Sequence, residues 1–208
     1  MDKDLEKNIL KTGTTILGIV CKDGVVMAGD RRASVGRMIF SKDAEKVVTL
    51  NDYLLFAGCG SAAEVQKVSH ILTAELKLKE LRSKSRPTVK QSASLLSNIR
   101  VSQSAFILAG FDEDGSFSLY EILAGHLNKV QDYTASVGSG MPFVLGLLER
   151  QYKKTLTIKE GIELAKEALK SSTQRDSASG NGIDIFTITK DRIKKVVSQE
   201  IVPNFKDE

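Results

Sequence analysis

Residues 13–32 read Gly13-Thr14-Thr15-Ile16-Leu17-Gly18-Ile19-Val20-Cys21-Lys22-Asp23-Gly24-Val25-Val26-Met27-Ala28-Gly29-Asp30-Arg31-Arg32. Two strand-like runs, Thr14 to Cys21 and Val25 to Asp30, flank Asp23-Gly24, a dipeptide that suits a tight two-residue turn. The reading is a β-hairpin in which Lys22 pairs with Val25. Allowing for a one-residue change in the turn, Asp30, Arg31 and Arg32 lie opposite Ile16, Thr15 and Thr14 on the neighbouring strand, so a carboxylate and guanidinium groups come close to the Thr14 hydroxyl. Gly13-Thr14 is also a candidate cleavage point. A cut there would give Thr14 a hydroxyl and a free α-amine. The hydroxyl alone is a poor nucleophile at neutral pH, but an amine of pKa about 8 can take its proton, so one residue supplies nucleophile and base. Gly13 offers little hindrance and lets the backbone turn onto its own carbonyl. In an arbitrary sequence Gly-Thr-Thr merely opens a strand, and the residues downstream decide between the two readings.

The 208 residues suffice for one domain with a short extension, and 41% hydrophobic with 27% charged residues allows a real core. The net charge of +4 is scattered, as in Lys77-Leu78-Lys79-Glu80-Leu81-Arg82, which fits a solvated helix face better than a nucleic-acid stripe. Cys21 and Cys59 sit in apolar runs and read as buried, reduced thiols. No apolar run reaches membrane-spanning length. The leader Met1 to Gly13 is charged and lacks a signal-peptide core, so a cytoplasmic location is expected.

Further strands are expected at Lys46 to Leu50 and Tyr53 to Ala57, joined by Asn51-Asp52. Ser61 is a candidate cap for a long helix with Val65, Val68, Leu72 and Leu76 on one face. Pro87 ends that region, and a second helix covers about Val89 to Ile99. Strands Ala105 to Phe111 and Phe117 to Ile122 follow, then one near Val130 to Val137. Pro142 starts a helix through Tyr152. Thr157-Ile158-Lys159-Glu160 is a capping box for another helix, with Ile158, Ile162, Ala165 and Leu169 inward. Ile183 to Thr189 and Ile193 to Ser198 make a last hairpin. Hairpins interspersed with helix pairs indicate two stacked sheets between helix layers.

Four blocks carry a family resemblance: Gly13-Thr14-Thr15; Asp23 to Ser34; Gly138-Ser139-Gly140-Met141-Pro142-Phe143; and Gln174-Arg175-Asp176-Ser177-Ala178-Ser179-Gly180. Each alone is weak, but in this order and spacing the chain from Thr14 to Ile201 resembles a proteasome β subunit of the archaeal type. The resemblance implies an α+β, four-layer αββα sandwich of two antiparallel sheets between helix layers, the N-terminal-nucleophile hydrolase fold. It implies a propeptide, residues 1–13, removed by autocatalysis, and a threonine-peptidase domain over residues 14–208. By position, Thr14 is similar to the nucleophile, Asp30 to its acidic partner, and Lys46 to the lysine whose charge favours the reactive form. Asp176 and Ser179 match the pair around the threonine amine, Ser139 the neighbouring serine, and Gly60 the residue whose N–H holds the oxyanion. The side-chain pocket would be lined by Ala33, Ala44, Val48, Gly58 and Ala62. Those residues are small or apolar, so cutting after leucine, phenylalanine or tyrosine is expected, unless Glu45 turns inward. No cofactor or metal is implied. The implied partners are other β subunits in a seven-membered ring, α-subunit rings, a regulatory ATPase and unfolded polypeptides, with no nucleic acid and no membrane. The chain departs from the pattern at Ile16, where a third threonine is common, and at Gly58-Cys59-Gly60-Ser61.

Other readings compete. Lys46, within Lys42-Asp43-Ala44-Glu45-Lys46, taken alone reads as a surface charge. Arg31 could end a strand in solvent, Asp176 and Ser179 could cap a loop, and Ser139 could be a turn residue. Gly58-Cys59-Gly60-Ser61-Ala62-Ala63 fits the glycine pattern of a dinucleotide site, but hairpins precede it and no following strand ends in an acid on schedule. Cys59 with His70 or His126 could form a cysteine nucleophile and base, yet neither histidine has an orienting acid in view. The histidines and cysteines show no metal-ligand spacing. An inactive ring subunit of the same fold is opposed by Thr14, Asp30 and Lys46 occurring together. A small-molecule amidase does not fit the Gln174 to Gly180 block.

Overall fold

The computed structural model describes residues 13–201; the expected propeptide, apart from Gly13, lies outside the described residues. The elements run β1 (Ile16–Cys21), β2 (Gly24–Asp30), β3 (Ala33–Val35), β4 (Met38–Ser41), β5 (Val47–Asn51), β6 (Leu54–Gly60), α1 (Ala62–Ser83), α2 (Val89–Ser97), β7 (Ser104–Phe111), β8 (Phe117–Leu123), β9 (His126–Val130), β10 (Tyr133–Ala135), α3 (Met141–Gln151), α4 (Ile158–Arg175), β11 (Gly182–Ile188) and β12 (Ile193–Glu200). They build two antiparallel five-stranded sheets, ordered β10-β1-β2-β11-β12 and β5-β6-β7-β8-β9. This is the α+β sandwich expected from the sequence.

Side-chain alternation along β1 and β2 explains the layering. Ile16, Val25 and Met27 join a cluster with the second sheet, α1 and α2, whereas Leu17, Ile19, Cys21, Val26 and Ala28 face α3 and α4 in another. Both faces of the first sheet are therefore covered, and all seven residues of β2 are buried. A strand buried on both faces has no polar side, which is why it reads as a continuous apolar run. Each large side chain so buried contributes about 1.5–3 kcal/mol. Helix ends follow local rules: Ser61 caps α1 by accepting from the Glu64 N–H, and Thr157 with Glu160 forms a complete capping box at α4.

The structure corrects four local expectations. The first turn is Lys22-Asp23, with Cys21 paired to Gly24 and Ile16 to Gly29. Gly24 lies inside the strand because a Cβ there would stand 2.1 Å from the Ile188 carbonyl oxygen and 2.5 Å from Ile158 Cδ1. Asp23 is held outside, where its Oδ1 accepts from the Ile158 N–H of α4 (2.8 Å). Asp30 consequently faces Thr15, not Ile16, with its N–H on the Thr15 carbonyl at 3.1 Å. The second turn is Asp52-Tyr53, where Asn51 Oδ1 accepts the Tyr53 N–H. The strand expected near Val130 to Val137 is divided: β9 closes the second sheet and β10 edges the first. Lastly, β3 and β4 form a separate hairpin that apolar patterning did not reveal, since Met38 and Phe40 are largely exposed. Cys21 and Cys59 are buried and unpaired with each other. Among the described residues, no helix is long and apolar enough to cross a membrane.

Candidate active site

The hairpin end at Thr14 and Asp30 opens on a cleft of about 360 Å³ between β5, β6 and α1. Asp30 is 1% exposed and anchors the site. Its Oδ1 accepts the Thr15 N–H (2.8 Å) and Lys46 Nζ (2.6 Å); its Oδ2 accepts the Arg32 N–H (3.0 Å) and the Gly180 N–H (2.9 Å). Three backbone donors and one ammonium thus satisfy a carboxylate that burial alone would strongly disfavour. Lys46 is no surface charge: its side chain is 8% exposed. Burial pushes its ammonium pKa down, against the charge and hydrogen bond of Asp30. Gly29 makes room for the pair, since a Cβ there would press on Lys46 Cβ and Val47 at 3.3 Å.

Both groups converge on the Gly13 carbonyl. Thr14 Oγ1 donates to that oxygen at 2.7 Å, and Lys46 Nζ at 3.2 Å. The Gly13 N–H is tied to Ser34 Oγ (3.2 Å), and a Cβ at Gly13 would sit 1.8 Å from Ala178 Cβ, so the chain at residue 13 is tightly packed. On the other side the Thr14 N–H donates to Ser139 Oγ (3.2 Å), which donates to Asp176 Oδ2 (2.6 Å). Ser179 Oγ donates to the same oxygen (2.6 Å) and lies 2.7 Å from Thr15 Oγ1. With the Ser179 proton on Asp176, Thr15 is the donor in that last pair. Thr14, Asp30, Lys46, Ser139, Asp176 and Ser179 therefore form one connected network, assembled from β2, the β1 and β5 approaches, and the ends of α3 and α4.

Gly60 closes β6 with φ of 106°, a conformation that L side chains rarely adopt, and lines the cleft with Thr14 and Lys46. Ala33, Ala44, Val48, Gly58 and Ala62 line it as well. Glu45 also borders the cleft, but its Oε1 pairs with Lys195 Nζ of β12 at 3.0 Å. The cleft continues along α1 to Gln66, Ser69 and His70. Gln66 and Ser69 escaped the sequence reading, and His70 entered it only as a candidate base for Cys59, although all three follow Ala62 along the cleft side of α1. Also missed were Thr15 and Ser34, whose hydroxyls complete the network.

The arginines behave differently from expectation. Arg31 makes a fork to Asp184, with Nε at 3.0 Å from Oδ2 and Nη2 at 2.7 Å from Oδ1. Arg32 donates to Asn181 Oδ1 (2.8 Å) and the Ser177 carbonyl (2.7 Å), pinning the loop that carries Ser179 and Gly180. Each guanidinium is thus drawn to acceptors after α4, an interaction far apart in sequence. Cys59 lines the cleft near His70, but its thiol contacts Ser136 Oγ and the Val137 carbonyl, and burial pushes its pKa up, opposite to what a thiolate nucleophile needs. Among the described residues no group of three or more His, Cys, Asp or Glu side chains could hold a metal.

Residues 10–188 match the family model described as Proteasome subunit. A proteasome subunit beta of Nanoarchaeum equitans is 40% identical over 88% of this chain and 96% of its own length. That of Archaeoglobus profundus is 39% identical over 91% and 90%, and proteasome subunit beta 1 of Thermococcus onnurineus 37% identical over 91% and 95%.

Proposed function

Taking as premise that the chain belongs to the proteasome subunit family, we propose that it is a catalytic β subunit, a threonine endopeptidase made as a precursor. One observation carries the reading: Thr14 Oγ1 and Lys46 Nζ both reach the carbonyl of the residue before Thr14. In the precursor, Lys46 polarises the Gly13 carbonyl while Thr14 Oγ attacks its carbon. The C–N bond to Thr14 breaks as the hydroxyl proton passes to the departing Thr14 nitrogen, the acyl group moves to oxygen, and water hydrolyses the ester, releasing residues 1–13 and leaving the Thr14 amine free. Ser139, held by Asp176, receives that amine where it now receives the amide N–H.

The mature reaction repeats the same acyl transfer on a substrate. The Thr14 amine takes the hydroxyl proton and Oγ attacks a peptide carbonyl. The Gly60 N–H stabilises the oxyanion, the amine returns the proton to the leaving nitrogen, and water hydrolyses the ester. Lys46 supplies positive charge that favours the deprotonated hydroxyl, and Asp30 keeps the ammonium in place. Substrates are unfolded polypeptides, reached in a particle of stacked β and α rings fed by an ATPase, consistent with a chain that resembles proteasome β subunits along most of its length.

Intact mass and N-terminal sequencing of the assembled protein test this. Wild type is expected to begin Thr-Thr-Ile-Leu and to hydrolyse fluorogenic peptides. Thr14→Ala is expected to keep the leader and lose hydrolysis altogether. An active protein that still began at Met1 would overturn the mechanism.

A further inference from the structure

Glu64 stands in the first turn of α1, outside the network around Thr14, and the reaction described above does not use it. Its carboxylate nevertheless collects four hydrogen bonds from one short segment. Oε1 accepts the Ser102 N–H (3.1 Å) and Oγ–H (2.9 Å); Oε2 accepts the Gln103 N–H (3.1 Å) and the Ser104 Oγ–H (2.8 Å). Hydrogen bonds to an ionised acceptor are roughly twice as strong as neutral ones. Burial pushes this carboxyl up, but the bonds from Ser102, Ser104 and Gln103 outweigh it and hold the group below the ordinary range.

The clamped segment is the support beneath Gly60. Gly60 pairs with Ser104 at the end of the β6–β7 ladder, and the Ser61 N–H donates to the Gln103 carbonyl (3.3 Å). A Cβ on Gly60 would stand 1.9 Å from that same carbonyl oxygen. Ser61 Oγ in turn accepts the Glu64 N–H (3.4 Å). Backbone and side chain of Glu64 thus close a ring through Ser61, Gly60 and Gln103. A glycine at φ of 106° has no side chain to fix its peptide planes, so the hold on these neighbours contributes to its orientation.

We propose that Glu64 is a positioning residue for the acyl transfer: by clamping residues 102–104 under Gly60, it fixes the direction of the Gly60 N–H toward the developing oxyanion. The proposal rests on the peptidase reading and on Gly60 as the oxyanion donor. Its physical content is that such a donor acts through preorganisation, within about 2.7–3.1 Å of the charged oxygen, so a loosened support weakens the transition state and leaves ground-state binding alone.

The test measures kcat and KM for a fluorogenic peptide, and the inhibition constant of a peptide boronic acid, whose tetrahedral adduct places an oxygen where the oxyanion forms. The variants are Ser104→Ala, Glu64→Gln and Glu64→Ala in the assembled protein, with rates expressed per chain that begins at Thr14. Loss of one oxyanion donor costs about 10²–10³ in kcat, so Glu64→Ala is expected to lose about 10–10², Glu64→Gln and Ser104→Ala progressively less, with KM within about twofold. Boronic acid affinity is expected to weaken in step with kcat. An unchanged kcat, a loss confined to KM, or a kcat loss with boronic acid affinity retained would overturn the proposal. If Glu64→Ala does not assemble, the two milder variants decide by the same criteria. A wild type that begins at Thr14 yet cleaves no peptide would instead sink the peptidase reading.

Discussion

The two ends of the β1–β2 hairpin follow opposite physics. At the Thr14 end, hydroxyls, a carboxylate and an ammonium are buried together, and Asp30, 1% exposed, is paired with a lysine whose pKa burial pushes down against the pull of that carboxylate. At the Lys22-Asp23 end, Cys21 and Val26 pack on Gly161 of α4, where a Cβ would stand 2.6 Å from Cys21 Sγ and 3.1 Å from Val26 Cγ2. One hairpin thus carries a costly polar cluster at one end and compensating close packing at the other. Energy spent on buried charge has to be met by packing elsewhere, because the net stability of a domain is only about 5–15 kcal/mol. Changes at the first end should mainly alter rate, and changes at the second mainly alter stability.

Lys46→Ala is the strongest way to break that contrast. It is expected to lower turnover by about 10² or more, the cost of one positioned catalytic group. It also costs some stability, less than the about 3–5 kcal/mol of a fully stranded buried charge. Three backbone N–H groups still serve Asp30. Peptide hydrolysis and urea unfolding measure both quantities, and near-normal turnover would return Lys46 to a structural role. At the opposite end, Gly24→Ala must push a methyl against the Ile188 carbonyl. A loss of about 1–3 kcal/mol is expected from such overpacking, with kcat per folded chain unchanged. A variant of wild-type stability and impaired kcat would invert the contrast.

Specificity sharpens it. The cleft beside Thr14 is walled by Ala33, Ala44, Val48, Gly58 and Ala62, and the acid in its lining, Glu45, is paired with Lys195. Fluorogenic peptides ending in leucine should be cut about tenfold or more faster than those ending in arginine, since the apolar side chain gains on burial and the cation lacks a partner. Faster cutting after arginine, abolished by Glu45→Gln, would place the Glu45 carboxylate in the cleft.

The smallest effect concerns Cys21. Burial first, then Asp23 and Glu160, push its thiol from 9.0 up to about 12. Between those values the unfolded chain has lost a proton that the folded chain keeps. The stability this group contributes is therefore full below pH 9 and is lost as pH rises toward 12. The urea midpoint of wild type should fall more steeply between pH 8.5 and 10.5, about the onset of that window, than that of Cys21→Ala. Parallel slopes would show that the thiol does not titrate in this way.

Much of the site was legible because its chemistry sits in short blocks. Gly13-Thr14, Asp30 and the Asp176-to-Ser179 segment are each local, and their joint order pointed to one site. Lys46 was legible only through the resemblance, since Lys42-Asp43-Ala44-Glu45-Lys46 looks like solvated charge whichever way the strand faces. Gln66, Ser69 and the place of His70 on this cleft were not legible, because a helix shows which face is apolar but not which cleft its margin borders. Arg31 and Arg32 failed for a related reason: their partners Asp184 and Asn181 arrive about 150 residues later.

The sequence by itself determined the alternation of hairpins and helix pairs, the helix caps at Ser61 and Thr157, and the residue types around Thr14. Periodicity, capping and turn chemistry act over a few residues, so a linear string records them. Only the tertiary structure decided where the first hairpin turns, that β9 and β10 divide between two sheets, and that Thr14 and Lys46 share the Gly13 carbonyl. The turn moved because α4 takes the Asp23 carboxylate and β11 leaves room only for a glycine at position 24. Register and pairing are set by surfaces that meet after the chain has folded back, and no local preference is strong enough to overrule a clash of two ångströms with another backbone.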